Sequence, residues 1–272
     1  MIPSFSQMSI TMICSFKFKD LDNLVEWADK WQLKFNAEKC HTLHMGFNNP
    51  NYPYYMRKHN ENEYVELSAT DAEKDLGVIV DCDLKFSRHI ETQVNKANRL
   101  LGLIRRSFTF MDAECMRLLF TSIVRPHLEF ANVIWSPSTK RDCELIERVQ
   151  HRATKMVPNL KKLSYQDRLI KMNLPSLRYR RLRGDMIEAY KITHGLYSVN
   201  KNLLQLDQGN RTRGHAFKLI KNNSRLKIRQ HFFVNRIVND WNALPASVAE
   251  APSINAFKAR LDKHYEHLKF CE

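Results

Sequence analysis

Residues 20–46, DLDNLVEWADKWQLKFNAEKCHTLHMG, change period halfway along. Leu21, Leu24, Val25, Ala28 and Trp31 recur at spacings of three and four, which places them on one face of a helix. Asp20 and Asp22 stand at its start, where carboxylates favour the positive end of the helix dipole. Beyond Lys34, Cys40, Thr42 and His44 alternate with His41, Leu43 and Met45, the two-residue period of a strand. A helix passing so quickly into a strand predicts an α+β unit, with Trp27 and Trp31 in its core.

The strand character continues outward. Tyr52, Tyr54, Tyr55 and Met56 precede a polar turn, His59–Asn62, and Tyr64, Val65 and Leu67 follow it, which predicts a hairpin. Leu76, Val78 and Val80 then alternate with Gly77, Ile79 and Asp81 as a strand, with Gly77 allowing close backbone approach. Asp81 and Asp83 read as the polar turn that closes this strand rather than as metal ligands.

From Ser87, a predicted helix cap, the period becomes helical. Ile90, Val94, Ala97, Leu101, Ile104 and Phe108 form a buried stripe, with Arg88, Lys96, Arg99, Arg105 and Arg106 off or beside it. Asp112 starts a helix that carries Met116, Leu119, Phe120, Ile123 and Val124, and Pro126 kinks or ends it. Trp135-Ser136-Pro137 breaks the chain before a helix with Ile146, Val149, Ala153 and Met156 on one face. Its other face carries Arg148, Gln150, His151, Arg152 and Lys155. Ser164 and Asp167 predict a capping box for a helix over Tyr165–Met172. Arg178, Tyr179, Arg180, Arg181 and Arg183 form the densest basic cluster, on a helix that runs to His194 and ends at Gly195. A polar loop, 200–223, leads to Pro252-Ser253 and a last helix with Phe257 and Leu261.

Composition sorts the function classes. Residues 1–85 hold 9 Lys and Arg against 13 Asp and Glu, a net of −4; residues 86–272 hold 34 against 16, a net of +18, and the two give the whole chain's +14. A basic body of this kind points to a polyanion, with nucleic acid ahead of an anionic membrane. The six cysteines lie scattered with no close pairs, which fits neither a disulfide framework nor a zinc ribbon and suits an intracellular setting. Seven glycines, none clustered, exclude a Gly-rich phosphate loop. His264, His267 and Cys271 share a helix face, but a fourth zinc ligand is not evident. No apolar run reaches membrane-spanning length.

Four stretches together resemble the reverse transcriptases of jockey-like non-long-terminal-repeat retrotransposons. The first is Leu-x-x-Trp-x-x-x-Trp-x-Leu-x-Phe-Asn-x-x-Lys-Cys, here Leu24, Trp27, Trp31, Leu33, Phe35, Asn36, Lys39 and Cys40. The second is Glu73 to Ile90, with Leu76, Gly77 and Val78 in a primer-grip-like segment. The third runs from Phe130-Ala131 and Trp135 to Lys155, followed by Leu174 to Arg183. The fourth is Phe232, Phe233, Arg236, Trp241, Asn242, Leu244 and Pro245.

The resemblance implies a palm remnant over 20–86, a helical thumb-like region over 87–197, a loop over 198–224 and a C-terminal helical region over 225–272. Residues 1–19 read as a divergent segment. In the family an acidic metal-binding pair precedes the Asp20 helix, whereas residues 1–19 contain no Asp or Glu. The expectation is a truncated RNA-directed DNA polymerase fragment from a mobile element, inactive alone, with no cofactor on this chain. Mg²⁺ would serve an intact family member. Lys39 matches the palm lysine that assists pyrophosphate departure, or is simply a solvated loop residue. Arg88, Lys96, Arg99, Arg105, Arg106, Arg152, Lys155, Arg178, Arg180, Arg181 and Arg183 are the candidate contacts to RNA, DNA or their hybrid, with a solvated helix face as the alternative for those on the first long helix. No membrane partner is expected; nuclear or cytoplasmic location and oligomeric state stay open. Two other readings remain: a host-recruited helical module that binds protein, and a relic that does not fold stably.

Overall fold

The computed structural model describes residues 19–46, 48–58, 63–197, 203–207 and 214–271. The architecture is α+β: a small unit with short strands, followed by a mainly helical body. The chain divides into two compact units, one ending at Leu84 and one beginning at Lys85. Among the described residues no helix is long and apolar enough to cross a membrane. Their five cysteines are all free thiols.

In the first unit, helix α1 occupies residues 19–30 and turns Val25 and Ala28 inward. Asn36 caps a 3₁₀ turn, Ala37–Lys39, by accepting from the Glu38 N–H at 3.1 Å. Strand β1 (His41–Leu43) follows, then β2 (Tyr55–Arg57), β3 (Tyr64–Glu66), β4 (Ser68–Thr70), β5 (Ala72–Asp75) and β6 (Val78–Asp81). They pair as three two-stranded ladders: β1 with β4 in parallel, β2 with β3 and β5 with β6 antiparallel. The β2–β3 hairpin is the one the tyrosine pattern predicts, with Tyr55 opposite Glu66; its turn, 59–62, lies outside the described residues. The core is small: Val25, Ala37, Met56 and Leu67, with Leu21, Cys40, Tyr54 and Val65 against it.

Two expectations fail here. Trp27 and Trp31 are not core: they stand 50% and 62% exposed, stacked loosely on each other at 6.4 Å. Nor is Leu76 to Asp81 one strand. Asp75 pairs with Val78, so Leu76 and Gly77 form a two-residue turn with φ of 43° and 91°. Positive φ at both central positions is the hairpin geometry that matches strand twist, and it explains Gly77 better than close backbone approach.

In the second unit, α2 (Ser87–Ser107) buries Ile90, Val94, Ala97, Leu101 and Ile104. Phe108 lies past its end, 42% exposed. Ser87 does not cap it. Phe86 takes the N-cap position in the left-handed region, and Ser87 Oγ donates to Asp142 Oδ2 at 2.9 Å instead.

Asp112 caps α3 (Ala113–Leu119), which passes through a π-helical turn, Phe120–Val124, into α4 (Arg125–Glu129). Pro126 therefore does not end the helix. The wider turn pairs the Arg125 N–H with the Phe120 carbonyl, and such a turn makes room for a residue that has no N–H and crowds the turn before it.

Then come α5 (Asn132–Trp135), α6 (Lys140–Lys155), α7 (Tyr165–Met172) and α8 (Leu177–Thr193). Ser164 and Asp167 form the predicted capping box, with the Asp167 N–H on Ser164 Oγ at 3.2 Å. Gly195 follows α8 at φ 68°.

The C-terminal helices are α9 (Lys227–His231), α10 (Phe233–Arg236), α11 (Val238–Asn242), α12 (Ala246–Ala249) and α13 (Ile254–His264). They close a second core around Trp241, Phe257, Leu261 and the inner face of α8, including Met186 and Tyr190. The Phe/Arg/Trp-Asn motif is structural. Trp241 Nε1 donates to the Phe217 carbonyl at 2.6 Å, and Asn242 exchanges two 2.8 Å bonds with the Leu219 backbone. Of the predicted 200–223 loop, the described part includes a single bridge, Leu206 to Leu219.

Candidate nucleic-acid interface

Helices α2 and α6 pack side by side and run in the same direction. Ser87 meets Asp142, Glu91 meets Arg141 at 2.6 Å, and Asn98 Oδ1 accepts from Arg152 Nη1 at 2.8 Å. Their C-terminal ends therefore lie at the same end of the pair. Arg105 and Arg106 occupy the last turn of α2, and Arg152 and Lys155 the last turn of α6. All four are exposed, as are Arg99 and, near the start of α2, Arg88; Lys96 is half-buried. Cations at helix C-termini are favoured by the dipole at about 0.3–1 kcal/mol each, so this basic end is stable without a ligand. Lys161 and Lys162, exposed after the 3₁₀ turn Pro158–Leu160, extend it. The sequence reading missed them, although two adjacent lysines just beyond a helix were the available signal.

The cluster on α8 behaves differently. Tyr179 is 4% exposed, and its hydroxyl donates to Asp262 at 2.9 Å; burial first, then that bond, pushes its pKa up to about 12. Arg180 forks onto Glu129, with Nη2 2.8 Å from Oε2. Arg183 forks onto Asp262 at 2.5 and 2.9 Å. Arg181 is 7% exposed. Of the five residues, only Arg178 is exposed. Spacing explains this: on a fully packed helix, four basic residues in six positions must point in several directions, and three of them point at neighbouring helices.

One polar residue assigned to the outer face of α6 also turns inward, and two other charged residues are structural. Gln150 is fully buried, its Nε2 donating to the Pro175 carbonyl at 2.9 Å. Glu147, unremarked in the sequence, holds the start of α8 by accepting from the backbone N–H of Leu177 and Arg178 at 3.1 and 3.2 Å. Arg168, 2% exposed, is a structural arginine, bonded to Thr154 Oγ1 and the Leu163 carbonyl.

In the first unit Lys39 is exposed at the end of its 3₁₀ turn, and Leu76 sits at the hairpin tip, 89% exposed. Val78 is buried. Among the described residues no group of three or more His, Cys, Asp or Glu could hold a metal ion.

No protein-family model and no solved structure matches the chain. A curated protein of Caenorhabditis elegans, Uncharacterized protein B0403.1, is 29% identical over 126 residues, 45% of this chain and 64% of that protein. The chain thus spans just under two thirds of that relative's length.

Proposed function

We propose that the chain is a truncated relative of retrotransposon reverse transcriptases that keeps a sequence-independent grip on RNA, DNA or their hybrid without polymerase activity of its own. The observation that carries this reading is the shared basic end of α2 and α6, where Arg105, Arg106, Arg152 and Lys155 are exposed on a body of net charge +18 over residues 86–272. Side chains of this kind on parallel helices neutralise phosphates and read no base edges. The sequence resemblance agrees with it, since the family's thumb tracks the primer–template duplex. It also gives the outward Trp27 and Trp31 a place, on a helix that a fuller palm would cover.

The test is binding of a labelled RNA–DNA hybrid across a salt titration. Affinity should fall steeply with salt, and the double substitution Arg105→Glu, Arg106→Glu should flatten the log–log slope by about 1 to 2. Binding that ignores salt, or a slope untouched by that double change, removes the proposal. Mg²⁺-dependent primer extension by the chain would overturn its inactive half.

A second reading has its own support. Phe110, Phe130 and Ile134 stand 76%, 59% and 60% exposed in the helical body. A protein partner that covered these side chains would remove their apolar area from water. A salt-insensitive complex lost on Phe130→Ser, Ile134→Ser would favour that module over the nucleic-acid reading.

A further inference from the structure

Helices α6 and α8 enclose a cleft of about 1050 Å³ within the helical body. Three ionised residues in its lining, Glu147, Arg181 and Asp185, are each 7% exposed. Both carboxylates are already occupied. Glu147 accepts from the Leu177 and Arg178 N–H groups and from the Tyr165 hydroxyl at 2.6 Å. Asp185 takes both arms of the Arg236 guanidinium, at 2.8 and 2.9 Å. Arg181 is left with Nη1 buried and without a hydrogen-bond partner among the described residues. A buried cation without full pairing is expensive to keep. The rest of the lining adds to its charge rather than offsetting it. Lys140, Arg148, Lys155 and Arg178 surround the cleft, and Glu144, the one other carboxylate in the lining, is shared between Arg148 and Lys140 at 3.2 and 3.9 Å.

We propose that this cleft is a phosphate-monoester site, in which the Arg181 guanidinium grips the phosphate and the rim cations screen it. The charge count selects the ligand. Five Lys and Arg stand against three Asp and Glu in the lining, and Arg236 from outside it neutralises Asp185, which leaves a surplus of three; a phosphate monoester, at about −1.5 to −2 at neutral pH, offsets more of it than a carboxylate, which carries one. The planar donor fork of arginine suits phosphate oxygens. The volume admits more than the phosphate, since pockets for small organic ligands run to about 300–1,000 Å³, so a nucleoside attached to it fits. The ligand is a nucleotide phosphate, either free or at the end of a strand. The cleft shares Lys155 with the basic end of α2 and α6 but is centred on Arg181, which is no part of that end.

The experiment is calorimetric titration of the full chain with inorganic phosphate, adenosine monophosphate and adenosine. Two copies of one short DNA strand, with and without a 5′-phosphate, form the second arm. Adenosine monophosphate should bind saturably and adenosine at least about tenfold more weakly, the effect of losing charge-assisted bonds. Arg181→Met should lower monophosphate affinity by about tenfold or more while melting as cooperatively as the wild type, because it replaces a buried cation whose Nη1 has no hydrogen-bond partner among the described residues with an apolar chain of similar length. Should that variant fail to fold, the exposed pair Lys140→Ala, Arg148→Ala, neither of which belongs to the basic end of α2 and α6, serves in its place and should weaken binding about threefold or more. Preference for the 5′-phosphorylated strand assigns the site to strand ends; binding of the mononucleotide alone assigns it to free nucleotides. No saturable binding of phosphate or monophosphate by the wild type overturns the proposal. Unchanged affinity in a folded Arg181→Met, or in the rim pair if Arg181→Met does not fold, overturns it as well.

Discussion

Trp27 and Trp31 in the first unit are 50% and 62% exposed, whereas Trp135 and Trp241 in the helical body are 1% and 0% exposed. All four sit on or beside helices with apolar periodicity, so the pattern alone does not separate them. The difference is what each helix has to pack against. Helix α1 contributes Val25 to a core of four buried residues, in a unit whose strands are three or four residues long. Trp135 and Trp241 are enclosed by several helices each. Their indole N–H groups have also found carbonyl partners, Phe130 and Phe217, both at 2.6 Å. A tryptophan is fully buried only where both its area and its donor are satisfied. The body meets both conditions twice; the first unit leaves its pair half exposed or more.

Substitution should break the two pairs apart. Trp241→Ala should destabilise the body by about 3–5 kcal/mol, the range for removing a large buried aromatic, read as a shifted midpoint in chemical denaturation followed by far-UV circular dichroism. Trp31→Ala should stay within about 0.5 kcal/mol, as surface changes do. Equal losses from the two would mean that Trp31 packs in solution and that the contrast is not real.

The body's dependence on burial can also be read with protons. His89 lies on the inner face of α2, 0% exposed and 5.1 Å from the Trp135 ring. Burial first, then the nearby Lys96 charge, lowers its pKa from 6.5 to about 4. The folded state therefore holds the imidazole neutral, while the unfolded chain protonates it from pH 6.5 downward. Stability from this group is full above pH 6.5 and is lost as pH falls towards 4, by about 3 kcal/mol in all. His89→Gln should remove up to one proton's worth of slope, about 1.4 kcal/mol per pH unit, from the unfolding free energy in that window. An unchanged slope would assign the acid sensitivity to other groups.

What the sequence disclosed follows the same divide. Helix stripes such as Ile90, Val94, Ala97, Leu101 and Ile104 were legible because each long helix meets a core on one side. Local caps were legible too: Ser164, Asp112 and Ser253 each accept from a backbone N–H three residues on. The failures need information from a distant part of the chain. Ser87 reaches Asp142, Gln150 reaches Pro175, and Arg180 reaches Glu129. The candidate interface was half legible for that reason. Exposure of Arg105 and Arg152 follows from their own helices, but a run of arginines on α8 gives no sign of which carboxylates will claim them.

The first unit should respond most to backbone changes, since little side chain is buried there. Leu76 carries the clearest strain, a φ of 43° with its side chain 89% exposed. A residue with a Cβ loses about 1–2 kcal/mol in that region, and Leu76 recovers little of it through packing. Asparagine tolerates the conformation, and Asn-Gly is the favoured pair for a two-residue hairpin turn. Leu76→Asn should therefore stabilise the β5–β6 hairpin by up to about 1 kcal/mol, slowing exchange of its paired amide hydrogens by about fivefold. The body's Trp241 core should not register the change. Faster exchange would show that the exposed leucine holds the turn after all. Slower exchange accompanied by weaker hybrid binding would show that the strained tip is kept for contact rather than for stability, the use to which strained backbone is often put.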